Sequence, residues 1–581
     1  MGMTNDGLSY WQAETEGIDL LEMTIGDLLD RRAAELPLQE AVVYSCYSEF
    51  DGSHEVRWTY QEYRERANQV ACGLMALGLN KGDHIAVWAT NLPEWALLEM
   101  AVAKAGLVLV TVNPAYRAHE LEYVLKQGDV RALFLMAQVR DHDCLATLRS
   151  LVTSGTRNGD VSSERLPLLR SVCLLGTAHE GVLELEGWRP TLFQEMVAAG
   201  TQVSADALRV RQASVRPQDP AQIQYTSGTT GFPKGAILLH RSILNNAMIV
   251  ARQWGLDSHD RYCNLMPFFH TAGCVIGVLG PLSAGAVVHP LMTFHPLTAL
   301  QVISREGCTT VLAVPTMLLA MLQHPDFDTY DLSSLSRVGT GGVSVPVSLI
   351  EQVTERMGAD VCNFFGQTEA SPFITKTLPD DPFELKAATV GLPLPHSEVK
   401  LINPARGNVV PCGEPGELCC RGYQVMAGYY KMPEQTNAAI DSEGWLHTGD
   451  LATMNAQGYL NIVGRLKEMV IRGGENIFPR EVEEFLLRHP KVADVHVVGV
   501  PDAFFGEELL AVVRPREGEE ATEQELREFC KGKISHQKIP RYFQFVDAYP
   551  MTASGKVQKF VLREQAIQAL GLQEIATIKR A

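Results

Sequence analysis

Twelve cysteines are spread thinly over 581 residues, and no two of them stand in a C-x-x-C pair. That excludes a zinc ribbon and a thioredoxin-type redox centre. The sulfurs read instead as small buried apolar groups in a reducing compartment. Positive charge is also scarce: 50 Lys and Arg face 68 Asp and Glu, a net charge of −18. Nonspecific binding to nucleic acid or to an anionic membrane needs a basic surface, so both are disfavoured, although a basic pocket can still sit inside an acidic protein. The leading MGMTNDGLSYWQAETEG has neither signal-peptide nor Arg-rich transit character, and Gly2 lacks the Ser or Thr at position 6 that myristoylation wants. Long uncharged apolar runs are missing too. The most apolar stretch, 95–112, contains Glu99 and Lys104 and reads as a buried helix followed by a strand, not as a membrane span. No integral membrane segment is expected, and a cytoplasmic location is. No period of about 20–50 residues repeats, which excludes a solenoid or propeller.

What is present is ordinary globular material, 46% hydrophobic and 20% charged, in a chain long enough for several cores. Strand-like runs alternate with helical patterns: 84–89, helical 93–105 and 107–112, then 309–313 with helical 316–324. Such alternation predicts an α/β fold with mainly parallel sheets flanked by helices. The polar segment 154–165 reads as a surface loop. Over about 395–464, short strand signals separated by glycine and proline (PCGEPGELCCRGY, MNAQGYLNIVGR) suggest a small β-rich subdomain, which assigns 1–464 to one large N-terminal body. Residues 465–581 read as a separate α+β unit: strand-like KEMVIRGG, helical PREVEEFLLRHP, strands VADVHVVGV and LLAVVRP, a helix over 523–533 and a strand near 542–546.

The densest chemical signal is Thr226-Ser227-Gly228-Thr229-Thr230-Gly231-Phe232-Pro233-Lys234-Gly235, with three glycines, four hydroxyl residues and one lysine. Glycine permits backbone N–H groups to converge on an anion, the hydroxyls add donors, and lysine adds a point charge suited to phosphate. A flexible Ser/Thr/Gly turn is the plain alternative. Against it, apolar runs flank the segment on both sides, as in a tight connection between two strands. The P-loop of kinases and ATPases does not fit. Lys234 stands three residues after Gly231, Gly235 follows it where Ser or Thr belongs, and a strand follows instead of a helix.

Further clusters lie at predicted element ends: Met266-Pro267-Phe268-Phe269-His270-Thr271-Ala272-Gly273, Gly339-Thr340-Gly341-Gly342, Asn363-Phe364-Phe365-Gly366-Gln367-Thr368-Glu369, Gly444-Trp445-Leu446-His447-Thr448-Gly449-Asp450, Gly464-Arg465-Leu466-Lys467-Glu468 with Arg472-Gly473-Gly474-Glu475-Asn476, and Pro550-Met551-Thr552-Ala553-Ser554-Gly555-Lys556. Taken singly, His270 after two phenylalanines could be a satisfied core residue, and Lys556 in a Ser-Gly tip a solvated surface lysine.

In this order and at these separations, the clusters resemble the acyl-activating, adenylate-forming (AMP-binding) enzymes over nearly the whole chain. The likeness is strongest to the fatty acyl-CoA synthetases, particularly their medium-chain branch. The resemblance implies ATP and coenzyme A as cosubstrates, Mg²⁺, a small-molecule carboxylic acid, and a mobile C-terminal lid. It implies catalytic work for Lys556, Thr368, Glu369 and His270, with Glu369 also the metal ligand. Thr226, Ser227, Gly228, Thr229, Thr230, Gly231 and Lys234 would cradle the β- and γ-phosphates. Gly341, Gly342, Phe365, Gly366 and Gln367 would line the nucleotide site, and Asp450 and Arg465 would serve ribose and phosphate. Lys467 would be the hinge, and Gly473 and Gly474 would line the pantetheine path.

Gly366 stands where acetate-specific relatives carry tryptophan, which argues for a longer acid, and Cys274 stands where some long-chain relatives carry a gate tryptophan. Phe365 and Glu468 depart from the more usual tyrosine and aspartate. The implied activity is a fatty acid:CoA ligase. An aryl or branched-acid ligase, a non-catalytic nucleotide-binding protein of the same fold and a fatty-acid carrier are the rivals. A homodimer is compatible with the sequence.

Overall fold

The computed structural model describes residues 3–4, 7–15, 17–45, 55–152, 154–155, 160–176, 189–226, 233–342, 345–473, 475–551 and 557–576. The chain forms two compact units, one of Met1–Met3, Trp11–Val399 and Cys420–His447, the other of Thr4–Tyr10, Lys400–Cys419 and Thr448–Ala581.

The first unit shows how the α/β alternation becomes a sheet. Proline at the first helical position starts the helix Pro93–Ala105, and Gly106, at φ 65°, stops it. Twelve of its thirteen residues are buried, Glu99 and Lys104 among them. Lys104 Nζ donates to Asp30 Oδ1 at 2.6 Å, which satisfies the buried charge. The strand Val108–Val112 follows, buried at every position, as a parallel strand covered on both faces must be. Each fully buried Leu or Val there contributes roughly 1.5–3 kcal/mol relative to exposure. The stretch 95–112 is thus a buried helix and strand, and among the described residues no helix is long and apolar enough to cross a membrane.

Two large sheets result. The first has eight strands in the order Thr191–Leu192, Ser171–Leu175, Val130–Met136, His84–Trp88, Val108–Val112, Pro220–Thr226, Lys234–Leu239 and Gly428–Tyr429. Its strands run parallel up to Pro220–Thr226, and the last two join antiparallel. The second has nine strands and is parallel from Asp360–Gly366 through Arg337–Gly341, Thr310–Leu312, Arg261–Asn264 and Val287–Pro290 to Glu40–Tyr44. Antiparallel strands close both of its edges.

In the second unit, Val492–Asp502 and Gly506–Pro515 form a long antiparallel hairpin extended by Val470–Arg472, Glu475–Ile477 and Tyr542–Phe545. The helix expected over 523–533 is shorter, Glu523–Cys530. Thr522 and Glu525 form its capping box, and Gly532 lies beyond it at φ 71°. Three elements depart from the sequence expectation. Residues 154–165, read as a loop, hold a small ladder between Ser154–Gly155 and Val161–Ser162. A helix Pro433–Ala439 interrupts the β-rich stretch, and a helix Lys559–Ala569 follows the last strand. Eleven cysteines are described, and nine of them are buried, as small apolar groups would be.

Two buried histidines couple this fold to pH. His240 opens the helix His240–Gln253, and its Nδ1 accepts the Ile25 N–H at 3.5 Å. Burial pushes its pKa down to about 4. His289 is pushed well below the ordinary value by burial, then by the Arg261 and Arg57 charges. Both folded pKa values lie below the unfolded value near 6.5, so the unfolded chain binds more protons as pH falls. Stability is complete above about pH 6.5 and declines through the window down to the folded pKa. For His240 alone the loss at about pH 5 is ~2 kcal/mol. Melting temperature should therefore fall steadily between about pH 6.5 and 5, and His240→Asn, which keeps an acceptor for Ile25, should flatten that slope. An unchanged slope in the variant would remove His240 from the account.

Candidate active site

The glycine- and hydroxyl-rich loop does connect two strands. Pro220–Thr226 and Lys234–Leu239 pair antiparallel, and the register sets Thr226 directly opposite Lys234. The loop therefore closes on a threonine and a lysine at its mouth. Ser227, Gly228, Thr229, Thr230 and Gly231 lie outside the described residues, as do Gly474 and Lys556.

The mouth of the loop is chemically joined to Glu369. Thr226 Oγ1 donates to Glu369 Oε1 at 3.3 Å, and the Tyr429 hydroxyl donates to the same oxygen at 2.8 Å. Lys234 Nζ lies 4.0 Å from the centroid of the Tyr429 ring. The Met426 N–H reaches the Glu369 carbonyl at 2.9 Å. Glu369 is buried, and among the described residues the donors to its carboxylate are these two hydroxyls. Burial, then the Glu369 charge, drives the Tyr429 phenol far above its ordinary pKa, so it stays a donor.

Tyr429 was not among the residues singled out from the sequence. It belongs to the short strand Gly428–Tyr429, sixty positions from its partner, and its placement is tertiary. The Thr436 hydroxyl accepts its N–H at 2.9 Å, and the Tyr430 N–H reaches the Gly235 carbonyl at 2.8 Å. Lys431 Nζ pairs with Asp129 Oδ2 at 2.6 Å.

The remaining predicted groups of this unit sit at carboxyl ends of parallel strands, where open α/β sheets bind ligands. Gly341 ends Arg337–Gly341 and is followed by Gly342; Phe365 and Gly366 end the neighbouring Asp360–Gly366, followed by Gln367. Thr368 and Glu369 lie in the short helical turn Thr368–Ala370, with the Gln367 N–H bonded to the Pro372 carbonyl at 2.8 Å. His270 lies in the bend between Arg261–Asn264 and the π-helical segment Ala272–Leu279, and its Nδ1 accepts the Ala272 N–H at 3.3 Å.

Two of these glycines are demanded by the backbone itself. A Cβ on Gly341, at φ 155°, would stand 2.1 Å from the Phe364 carbonyl oxygen. One on Gly366 would stand 2.1 Å from the Pro372 carbonyl oxygen. Gly366 therefore answers to a close backbone approach, and its lack of a side chain does not by itself describe an open acyl slot. Cys274 is fully buried, with Gln224 Nε2 donating to its sulfur at 3.2 Å.

In the second unit, Asp450 and Arg465 face each other on paired strands, with Arg465 Nε donating to Asp450 Oδ1 at 2.9 Å. Asp450 is buried and Arg465 exposed. The Thr448 hydroxyl accepts the Asp450 N–H at 3.1 Å and donates to the Leu418 carbonyl at 2.7 Å. Lys467 is exposed in the turn after Arg465. Gly473, at φ 61°, gives its N–H to the Phe505 carbonyl at 2.7 Å.

A phosphate-type hairpin joined to a buried carboxylate, together with glycines at the ends of parallel strands, defines a nucleotide-handling α/β enzyme. Residues 29–430 match the AMP-binding enzyme family and residues 481–556 its C-terminal domain. The chain belongs to the AMP-binding enzymes. It is 46% identical over 557 residues to YngI of Bacillus subtilis strain 168, provisionally named an acyl-CoA synthetase, covering 95% of this chain and 99% of that one. It is 41% identical over 577 residues to human medium-chain acyl-CoA ligase ACSF2, mitochondrial, covering 97% and 91%. The solved structure of the anthranilate CoA ligase AuaEII with anthranoyl-AMP superposes with a TM-score of 0.80 at 26% identity, covering 96% of this chain and all of that one.

Substitutions at two positions test this geometry. Tyr429→Phe keeps the ring beneath Lys234, whereas Tyr429→Leu removes it. A desolvated cation–π contact is worth roughly 0.5–2 kcal/mol, so the Leu variant should bind ATP about twofold to thirtyfold more weakly than the Phe variant in calorimetry. Equal affinities would show that Lys234 does not depend on the ring. Gly366→Ala should lower the melting temperature, at a cost of roughly 1–3 kcal/mol for forced overpacking. A variant of unchanged stability with altered acid preference would restore the open-slot reading.

Proposed function

We propose that this AMP-binding enzyme is a fatty acid:CoA ligase with a preference for medium-chain acids. It is an ATP-dependent, AMP-forming acid–thiol ligase. In the first step a carboxylate oxygen attacks the α-phosphorus of ATP, the bond to the β-phosphate oxygen breaks, and pyrophosphate leaves. In the second, the thiol of coenzyme A attacks the acyl carbonyl, loses its proton, and expels AMP. The observation that carries the reading is the shared Glu369 oxygen. It links the mouth of the phosphate-type hairpin to the turn after Phe365-Gly366-Gln367 in a chain of this family. The names borne by YngI and ACSF2 support the thioester product, and the second supports medium chain length.

Both steps bring anions together, so catalysis rests on positioning and on electrostatic stabilisation. Lys234 and Thr226 hold the terminal phosphates in this reading, Thr368 meets the α-phosphate, and Asp450 with Arg465 serves the ribose. Lys556 is the cation for the first step, and Lys467 is the hinge on which residues 465–581 turn between steps. The oxygen-only donors at Glu369 and Thr226 fit a hard cation such as Mg²⁺, with Glu369 as its protein ligand. That ion would supply positive charge against the phosphate oxygens.

The reading is tested by AMP release over a panel of acids, compared by kcat/KM. Hexanoate to dodecanoate should exceed benzoate and cinnamate, and the reverse order would make this an aryl-acid ligase. No acyl-AMP from any acid would favour a non-catalytic nucleotide binder. Lys556→Ala should slow acyl-AMP formation by about a hundredfold or more and spare CoA transfer from preformed acyl-AMP. Equal loss of both halves would sink the two-step lid account.

A further inference from the structure

The helix Lys559–Ala569 begins with a lysine. It has no side-chain N-cap and no acidic residue in its first turn. A cation at a helix N-terminus opposes the helix dipole, at a cost of roughly 0.3–1 kcal/mol, and nothing local compensates. The compensation is tertiary. Lys559 Nζ lies 2.8 Å from Glu483 Oε1 and 3.1 Å from Glu468 Oε2, and its side chain is 19% exposed. Glu483, on the helix Pro479–Leu486, is fixed in turn, because its Oε1 accepts the Val497 N–H at 2.7 Å. Glu468 follows Lys467 in the turn after Arg465 and gives its N–H to the Arg465 carbonyl at 3.0 Å. The sequence set Glu468 apart as longer than the usual aspartate, and here that length carries its carboxylate to Lys559.

Lys559 also stands where the chain leaves residues 552–556. Met551 and Val557 pair as an isolated antiparallel bridge, and the Gln558 N–H bonds the Pro550 carbonyl at 2.8 Å. These contacts close the base of the segment that carries Lys556. The ammonium of Lys559 fastens that base to the turn beside Lys467 and to the helix bearing Glu483.

We propose that Lys559 is a positioning residue that holds the base of the Lys556 segment in register with the turn at Lys467, through Glu468 and Glu483. This rests on the ligase reading above, in which Lys556 serves the first step and not the second. A local rule broken without local gain marks a residue kept for a tertiary reason.

The test uses the full-length protein and assays the halves separately, acyl-AMP formation from ATP and octanoate, then thioester formation from octanoyl-AMP and coenzyme A. Lys559→Met should lower kcat for acyl-AMP formation about tenfold or more, since small misplacements of a catalytic group cost that much. KM for ATP should hold within about twofold, the thioester half should be unchanged, and Lys559→Arg should restore most of the rate. If Lys559→Met does not fold, Glu468→Gln removes one carboxylate from the same contact and carries the same expectation in weaker form. Parallel loss of both halves, or no loss in either, would overturn the positioning role and leave the ligase reading standing. A wild-type protein inactive in both halves would overturn the two together.

Discussion

The antiparallel closure of Pro220–Thr226 on Lys234–Leu239 is the constraint on which the site of the first unit depends. Side chains along a strand alternate between faces, so a one-residue slip would turn Thr226 and Lys234 away from each other's neighbours. In the observed register Thr226 reaches Glu369, Lys234 lies over Tyr429, and Tyr429 reaches the same Glu369 oxygen. Pairing of Lys234–Leu239 with Gly428–Tyr429 makes the arrangement possible, since it brings a strand from far along the chain beside Lys234–Leu239. The two ends of the glycine- and hydroxyl-rich segment, Thr226 and Lys234, are set by this strand pairing.

Charge is handled differently in the two units. In the first, the buried Glu369 carboxylate accepts from two hydroxyl groups among the described residues. In the second, the buried carboxylate of Asp450 is paired with Arg465, and Lys559 is held between two glutamates. Ion pairs of this kind contribute little stability when exposed. What they supply is orientation: Arg465 is fixed against Asp450 across paired strands, and Lys559 ties its helix to the turn at Glu468 and to the helix bearing Glu483. Those are the places where a ligase working in two steps needs groups held in register.

The α/β character and its elements were legible because apolar periodicity is local. Residues 93–112 carry their own start and stop in Pro93 and Gly106, and the strand-to-strand setting of the loop could be read from the apolar runs on each side. The helix Lys559–Ala569 was not legible, for it buries only Leu562 and Ala566 and opens without a cap. Tyr429 gave no signal either, since its partner is sixty residues away. Gly366 was legible as a glycine with a purpose, but the purpose observed is a 2.1 Å approach of the Pro372 carbonyl oxygen to where a Cβ would lie.

By itself, the sequence determined the fold class, the family and the order of the chemical clusters, because each is written in residue types and spacings within short windows. Tertiary structure alone decided that Tyr429 supports both Lys234 and Glu369, that Gly366 answers to backbone, and that Lys559 is held between Glu468 and Glu483. The reason is physical. Hydrogen bonds and ion pairs act over a few ångströms, and which residues come that close depends on sheet pairing between segments far apart in the chain.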